Sequence, residues 1–226
     1  MSERCLALIP AFNEAGTVGD VVTRTFEFLP VLVVDDGSSD QTGIRAEEAG
    51  ATLLTQDPNQ GKGAALRAGF TWAINQGYDA VITLDADGQH DPTEIPDFLA
   101  AYAIQKSDLI IGARSFDQMP LVRRLSNSVG RRAFSWALRQ DVADNQSGYR
   151  LISRRLMEAL LASDEHGFEF EVEMIVICAQ NGYRLDWVPI RTIYAGESSH
   201  IRPLQHASNF ARVVLITRRA TRPGAQ

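Results

Sequence analysis

The first half of the chain alternates two kinds of apolar pattern. Short continuous apolar runs stand at CLALI (5–9), VLVV (31–34), ATLLT (51–55), DAVITL (79–84) and DLIIG (108–112). Between them lie longer segments, roughly 16–28, 40–49, 62–76 and 94–105, where apolar residues recur at steps of three and four. Leu66, Phe70, Ala73 and Ile74 make one such face. Continuous apolar strands separated by helices are what a mostly parallel sheet covered on both faces requires. The pattern therefore predicts an α/β domain with a central sheet flanked by helices. Asp40 is placed to cap the helix that Gly50 closes, and Thr93 to start the one containing Pro96.

Beyond residue 114 the pattern changes. A segment from Pro120 carries Val122, Leu125, Val129, Ala133 and Trp136 on one side of a helical wheel, with four arginines spread over the other. A polar loop (141–150) follows, then helices near 154–161 and 169–181, strands at 183–188 and 189–194, and a last helix over 205–217 before a basic tail at 218–226. At 226 residues the chain suits one large domain and is short for two. A division near 114 separates a first half from a second (115–210).

Composition changes this picture little. The hydrophobic fraction of 45% and charged fraction of 22% belong to an ordinary globular protein. A net charge of −6 argues against a nucleic-acid partner. Basic residues are skewed: Lys62 and Lys106 are the two lysines, and the other 20 of the 22 are arginines. Those around 123–132 and 212–222 form clusters that suit phosphate or an anionic membrane surface, or are simply exposed. Cys5 and Cys178 sit in apolar runs and are expected to be buried thiols. With no leader-like start and no run of ~18 apolar residues, the expectation is a cytoplasmic protein, at most peripheral to a membrane.

Three strand ends carry candidate chemistry. After DAVIT comes Asp85-Ala86-Asp87-Gly88-Gln89-His90-Asp91-Pro92. Two carboxylates where a strand becomes a turn can reach one hard cation, Mg²⁺ or Mn²⁺, which leaves positions open to a diphosphate. The carboxyl end of a buried strand is also where α/β sheets bind ligands. After VLVV comes Asp35-Asp36-Gly37-Ser38-Ser39-Asp40, where Asp36 is expected to accept hydrogen bonds from a ribose or base, and Ser39 and Asp40 to build the turn. After CLALI, Pro10 sets the chain direction and Phe12 can stack on a base. Glu14 can contact a ribose or simply sit at the positive start of a helix. Gln60-Gly61-Lys62-Gly63 lacks the upstream glycine and the Ser/Thr of a nucleotide-binding P-loop, and no GxGxxG follows the first strand.

These segments, IPAFNE, VVDDGSSD, NQGKGAAL, LDADGQHDP and DNQSGYR in order, resemble family 2 inverting glycosyltransferases of the GT-A fold. They are most similar to the branch of dolichol-phosphate mannosyltransferase and polyprenyl-phosphate glycosyltransferases. The resemblance covers residue 5 to about 210. It implies a GT-A, Rossmann-like domain that takes a hexose from a GDP- or UDP-sugar and passes it to a polyprenyl or dolichyl phosphate. Under it, Pro10, Phe12, Glu14, Val34, Asp36, Lys62 and Gly63 line the nucleoside pocket. Asp85, Ala86, Asp87 and Gln89 form the cation and diphosphate site, with Asp87 and Gln89 the direct ligands, and Arg114 and Arg202 hold donor phosphates. Asp144 is the acceptor-side base, beside Ser147, Gly148 and Arg150. Ser198 and His200 lie in a segment that matches a family Gly-Glu-Ser-Lys stretch, where a lysine is replaced. The alternatives are the same donor chemistry on a soluble or protein acceptor, and a non-catalytic subunit that only binds the nucleotide-sugar. The resemblance also leaves room for a membrane-anchored partner.

Overall fold

A computed structural model describes residues 3–114, 132–133, 135–138, 142–163, 170–191, 214 and 218. The chain runs β1 (Cys5–Ala11), α1 (Val18–Phe26), β2 (Val31–Asp35), α2 (Thr42–Glu48), β3 (Thr52–Thr55), α3 (Lys62–Asn75) and β4 (Ala80–Thr83). A 3₁₀ turn (Pro92–Glu94) leads into α4 (Ile95–Gln105), followed by β5 (Leu109–Arg114), β6 (Arg150–Ser153), α5 (Arg154–Leu161), α6 (Phe170–Gln180) and β7 (Leu185–Ile190). Among the described residues seven strands form one sheet in the order β3-β2-β1-β4-β6-β5-β7, and of these only β6 runs antiparallel to its neighbours. The expected mostly parallel α/β architecture is what forms.

Alternation along the strands builds two cores. On β1, Leu6 and Leu8 face α3, α5 and α6, while Ala7, Ile9 and Ala11 face α1, α2 and α4. Each large side chain so buried contributes about 2 kcal/mol. The face read from α3 packs as expected, with Leu66, Phe70 and Ala73 buried and Ile74 against them. Helix α3 approaches β1 closely because Gly69 has no side chain; a Cβ there would sit 2.4 Å from Leu8 Cδ1. Both cysteines are buried free thiols, as read from the sequence. Burial pushes Cys5 up to about 11 and Cys178 up to about 12.

Four local expectations change. Strand β6 falls at the junction between the segments read as loop (141–150) and helix (154–161), because a buried Arg150 followed by an apolar pair, Leu151 and Ile152, gives no strand signal. The strands expected at 183–188 and 189–194 are one strand, β7, passing through Pro189; an edge strand accepts a proline. The start near Thr93 is capped by Asp91, whose Oδ1 accepts the Thr93 amide at 3.1 Å. Trp136 does not share the buried side of its helix: it is 54% exposed, while Ala137 and Leu138 enter the core. Asp40 does act at the start of α2, accepting the Thr42 amide at 2.9 Å. Of the last helix, Val214 and Arg218 are described and helical. Among the described residues no helix is long and apolar enough to cross a membrane.

Candidate active site

The carboxyl ends of β1, β2 and β4 open on one side of the sheet, and their turns are stitched together. Asn13, in a left-handed conformation at φ 56, accepts the Ser39 amide at 2.9 Å and donates its own amide to Ser38 Oγ. Glu14 donates its amide to Thr42 Oγ1, and its carboxylate accepts from Thr17 Oγ1. It thus sits at the start of the α1 region. Phe12 is 47% exposed, as a stacking platform must be. Pro10 and Val34 are buried, and Val34 is part of the core beneath the turns. Neither side chain faces solvent.

Asp36 departs from its expected role. Its carboxylate is 2% exposed and accepts the amides of Gln60 and Gly61 at 2.8 and 2.7 Å. An internal carboxylate therefore fills the anion-binding concavity ahead of α3, the place where a phosphate sits in loops of this kind. Asp36 fixes that loop, and with it the first residue of α3, Lys62.

The ammonium of Lys62 bridges two carboxylates, Asp85 Oδ1 at 2.6 Å and Glu171 Oε1 at 2.9 Å. Burial alone favours the neutral amine, but the two acids hold Lys62 charged above the ordinary lysine range. Reciprocally, burial disfavours ionised Asp85 and Glu171, yet Lys62 brings both below the ordinary carboxylate values. Gly63 lies under the ring of Phe170; a Cβ would be 3.5 Å from Phe170 Cβ. Gly148 covers the pair from the other side, where a Cβ would come within 2.8 Å of Asp85 Oδ2.

The turn after β4 is tied locally. The Asp85 amide donates to His90 Nδ1 at 3.0 Å, so the ring proton of the neutral imidazole is on Nε2. Burial holds His90 below its ordinary value against the pull of Asp85. Asp87 Oδ1 accepts the Gln89 amide at 2.9 Å, and Ala86 is buried. Among the described residues no group of three His, Cys, Asp or Glu side chains gathers as a metal cage. A Mg²⁺ arriving with a diphosphate needs fewer protein ligands, commonly one or two carboxylates completed by phosphate oxygens and water. Asp87 fits that use, since no hydrogen bond among the described residues reaches its Oδ2. Asp85, expected as a co-ligand, is instead committed to an ammonium.

The second wall comes from the antiparallel strand. Thr83 at the end of β4 pairs with Arg150 at the start of β6, so the loop entering β6 lies beside the turn leaving β4. Asp144 in that loop, expected as a base, is 2% exposed and held at two points by Arg114: Nε to Oδ2 at 2.6 Å and Nη2 to Oδ1 at 3.1 Å. Arg114, expected on donor phosphates, is spent on this pair. Arg150, expected on the acceptor, is completely buried. It donates to the carbonyls of Ser147 (2.7 Å), Asn145 (3.2 Å) and Glu171. Burial pushes Arg150 down to about 10. Ser147 Oγ accepts the Tyr149 amide, and so Ser147 and Gly148 shape the loop.

Sequence reasoning passed over Asn13, His90, Tyr149 and Glu171. Tyr149 lies between His90 and Phe98, at ring-centroid distances of 5.0 and 4.5 Å, and its hydroxyl donates to the Asp91 carbonyl. For Asn13 and His90 the signal was present, since each stands inside a quoted motif at a strand end. Glu171 had none. Ser198, His200 and Arg202 lie outside the described residues.

The chain is similar to known proteins. Residues 7–161 match glycosyl transferase family 2. An undecaprenyl-phosphate mannosyltransferase of Micrococcus luteus is 33% identical over 205 residues, covering 83% of this chain and 82% of that protein. A polyprenol monophosphomannose synthase of Mycolicibacterium smegmatis is 32% identical over 209 residues, covering 84% and 77%. Among solved structures, glucosyl-3-phosphoglycerate synthase of Mycobacterium tuberculosis, in complex with Mn²⁺, UDP and phosphoglyceric acid, superposes with a TM-score of 0.70. That match is 20% identical and covers 99% of this chain and 80% of that one. The domain is of the GT-A glycosyltransferase type. The chain belongs to glycosyl transferase family 2.

Proposed function

We propose that this glycosyltransferase takes a hexose from a GDP- or UDP-sugar with the help of Mg²⁺ or Mn²⁺ and transfers it, with inversion, to a polyprenyl or dolichyl phosphate. One observation carries the donor half. Among the described residues that meet here, five carboxylates (Asp36, Asp85, Asp87, Asp144, and Glu171 from α6) stand against three fixed cations (Lys62, Arg114, Arg150). Each of those cations already has a partner within the protein. A diphosphate entering an acidic excess of two charges is repelled unless a divalent cation comes with it. Asp87 and Gln89 are the residues to hold that cation. When bound, it would offset the charge building on the departing diphosphate. Phe12 offers its face to the base.

The state of Asp144 favours a phosphate acceptor. A carboxylate closed by a two-point arginine pair is a poor proton acceptor, and a sugar hydroxyl would need one. A lipid phosphate is already ionised at neutral pH. Its oxygen forms the new bond to the anomeric carbon as the bond to the diphosphate oxygen breaks, the electron pair leaving with the diphosphate. One displacement inverts that carbon. The relatives named for undecaprenyl phosphate and polyprenol support the same acceptor class. Exposed Trp136, with the Arg218 guanidinium 4.6 Å from its ring centre, and exposed Arg132 suit contact with an anionic membrane surface, at its cytoplasmic face.

The test supplies purified protein and Mn²⁺ with GDP-mannose, UDP-glucose or UDP-N-acetylglucosamine, and a short polyprenyl phosphate or a panel of soluble acceptors. A lipid-linked product is expected with one donor. It should be abolished by EDTA and reduced on the order of a hundredfold in Asp87→Asn. Turnover on soluble acceptors alone, or undiminished turnover in EDTA, defeats the proposal.

A further inference from the structure

The residues that set the donor site are not confined to the first half of the chain. Four contacts dock the first turn of α6 onto the first two turns of α3. Glu171 reaches Lys62 at 2.9 Å, and Phe170 covers Gly63. The Arg67 guanidinium lies 5.1 Å from the Phe170 ring centre, and Arg67 pairs with Glu173. The main chain of the same turn is anchored separately, by Arg150 donating to the Glu171 carbonyl. Among the described residues, the ion pair of the Glu171 carboxylate is with the ammonium that also holds Asp85.

We infer that Glu171 is a positioning residue of the donor site, acting through Lys62. A lysine ammonium on a four-carbon stem is a mobile point charge, and one carboxylate leaves it free to swing about that partner. A second carboxylate from another element fixes it. Held between Asp85 and Glu171, the Lys62 charge stands at the edge of the turn that carries Asp87 and Gln89. There it faces whatever anion that turn receives. The position of this charge is therefore decided by α6, where Glu171 stands more than a hundred residues downstream of Lys62. The effect is one of placement: a nucleoside diphosphate sugar carries two negative charges, so its complex with a divalent cation is neutral and feels little of the net charge of Glu171.

This inference rests on the donor-site reading above, and the experiment separates the two. Calorimetric titration with UDP-glucose and with GDP-mannose, each in saturating Mn²⁺, is run on wild type, Glu171→Gln, Lys62→Met and the double variant. Glu171→Gln keeps shape and main-chain bond, and its thermal midpoint should stay near that of wild type. Its nucleotide-sugar dissociation constant should rise roughly tenfold, the loss of one charge-assisted hydrogen bond. KM for the donor should rise more than kcat falls. Lys62→Met should weaken binding at least as much, and the double variant no more than Lys62→Met alone. Glu171→Asp, with a shorter reach, should recover part of the loss. If Glu171→Gln binds as wild type does, or weakens binding equally with Met at position 62, the inference is overturned. If wild type binds neither nucleotide-sugar with Mn²⁺, the donor-site reading itself has failed.

Discussion

The two loops that meet at the site are held by different balances of local and distant bonds. The middle of the 85–91 turn is tied locally, Asp85 to His90 and Gln89 to Asp87, while its ends are also held from outside by Lys62 on Asp85 and by Arg24 and the Tyr149 hydroxyl on Asp91. The 144–149 loop depends on distant elements. Arg114 of β5 clamps Asp144, Trp187 of β7 donates to the Asp144 carbonyl at 3.0 Å, and Arg150 gathers three carbonyls from beneath. The part of a turn made of its own short-range bonds is set by its own sequence. A loop braced by buried charge is set by the whole sheet, and it fails when one brace goes.

That contrast can be broken most forcefully at Arg150. Arg150→Met keeps the bulk and removes every donor, leaving three carbonyls without their partner. It should cost about 3 kcal/mol in thermal or denaturant unfolding. A near-neutral result would mean the loop holds itself. Next, Asp144→Asn should cost about 2 kcal/mol by leaving Arg114 half-paired. Its turnover should fall by the same factor from about pH 6 to about pH 9, because a brace has no protonation step in the reaction. A pH limb that vanishes in the variant would restore Asp144 as the base.

The smallest effect tests the border between the regions. Glu94 accepts the Arg191 amide at 2.7 Å through Oε1, while its buried Oε2 has no hydrogen-bond partner among the described residues. Burial raises its carboxyl above the ordinary value, so the folded state prefers the protonated form. The stability this gives is complete below the unfolded value near 4.5 and is lost as pH rises through the folded value. Glu94→Gln should therefore gain up to about 1 kcal/mol at neutral pH and little at pH 4. Melting curves at the two values decide it; equal stability at both removes the buried charge as a factor.

The same contrast explains what the sequence revealed. Strands β1 to β5 and the motif at each strand end were legible because apolar runs and turn residues are local signals. The motif that carries Asp87 and Gln89 is read that way. Asp36, Arg114, Asp144 and Arg150 were legible as residues, but the contacts that hold them within the protein were not, because most of those partners lie far along the chain. Chemistry alone does not tell a carboxylate that meets a ligand from one that meets a backbone amide or an arginine. Strand β6 was missed because it opens on a buried arginine, and Glu171 because its helix turn carries several acids of equal appearance.

Strand β6 is bonded on both sides, with Arg150 opposite Thr83 of β4 and Ile111 of β5. Leu151 enters one core and Ile152 the other. One extra residue between Asp144 and Arg150 could not be absorbed by sliding the strand, since a slip of one exchanges those two side chains. The gap between the two walls of the cleft is thus of fixed gauge. Diversity in what this frame accepts must come by exchanging side chains along its rim, not by lengthening it.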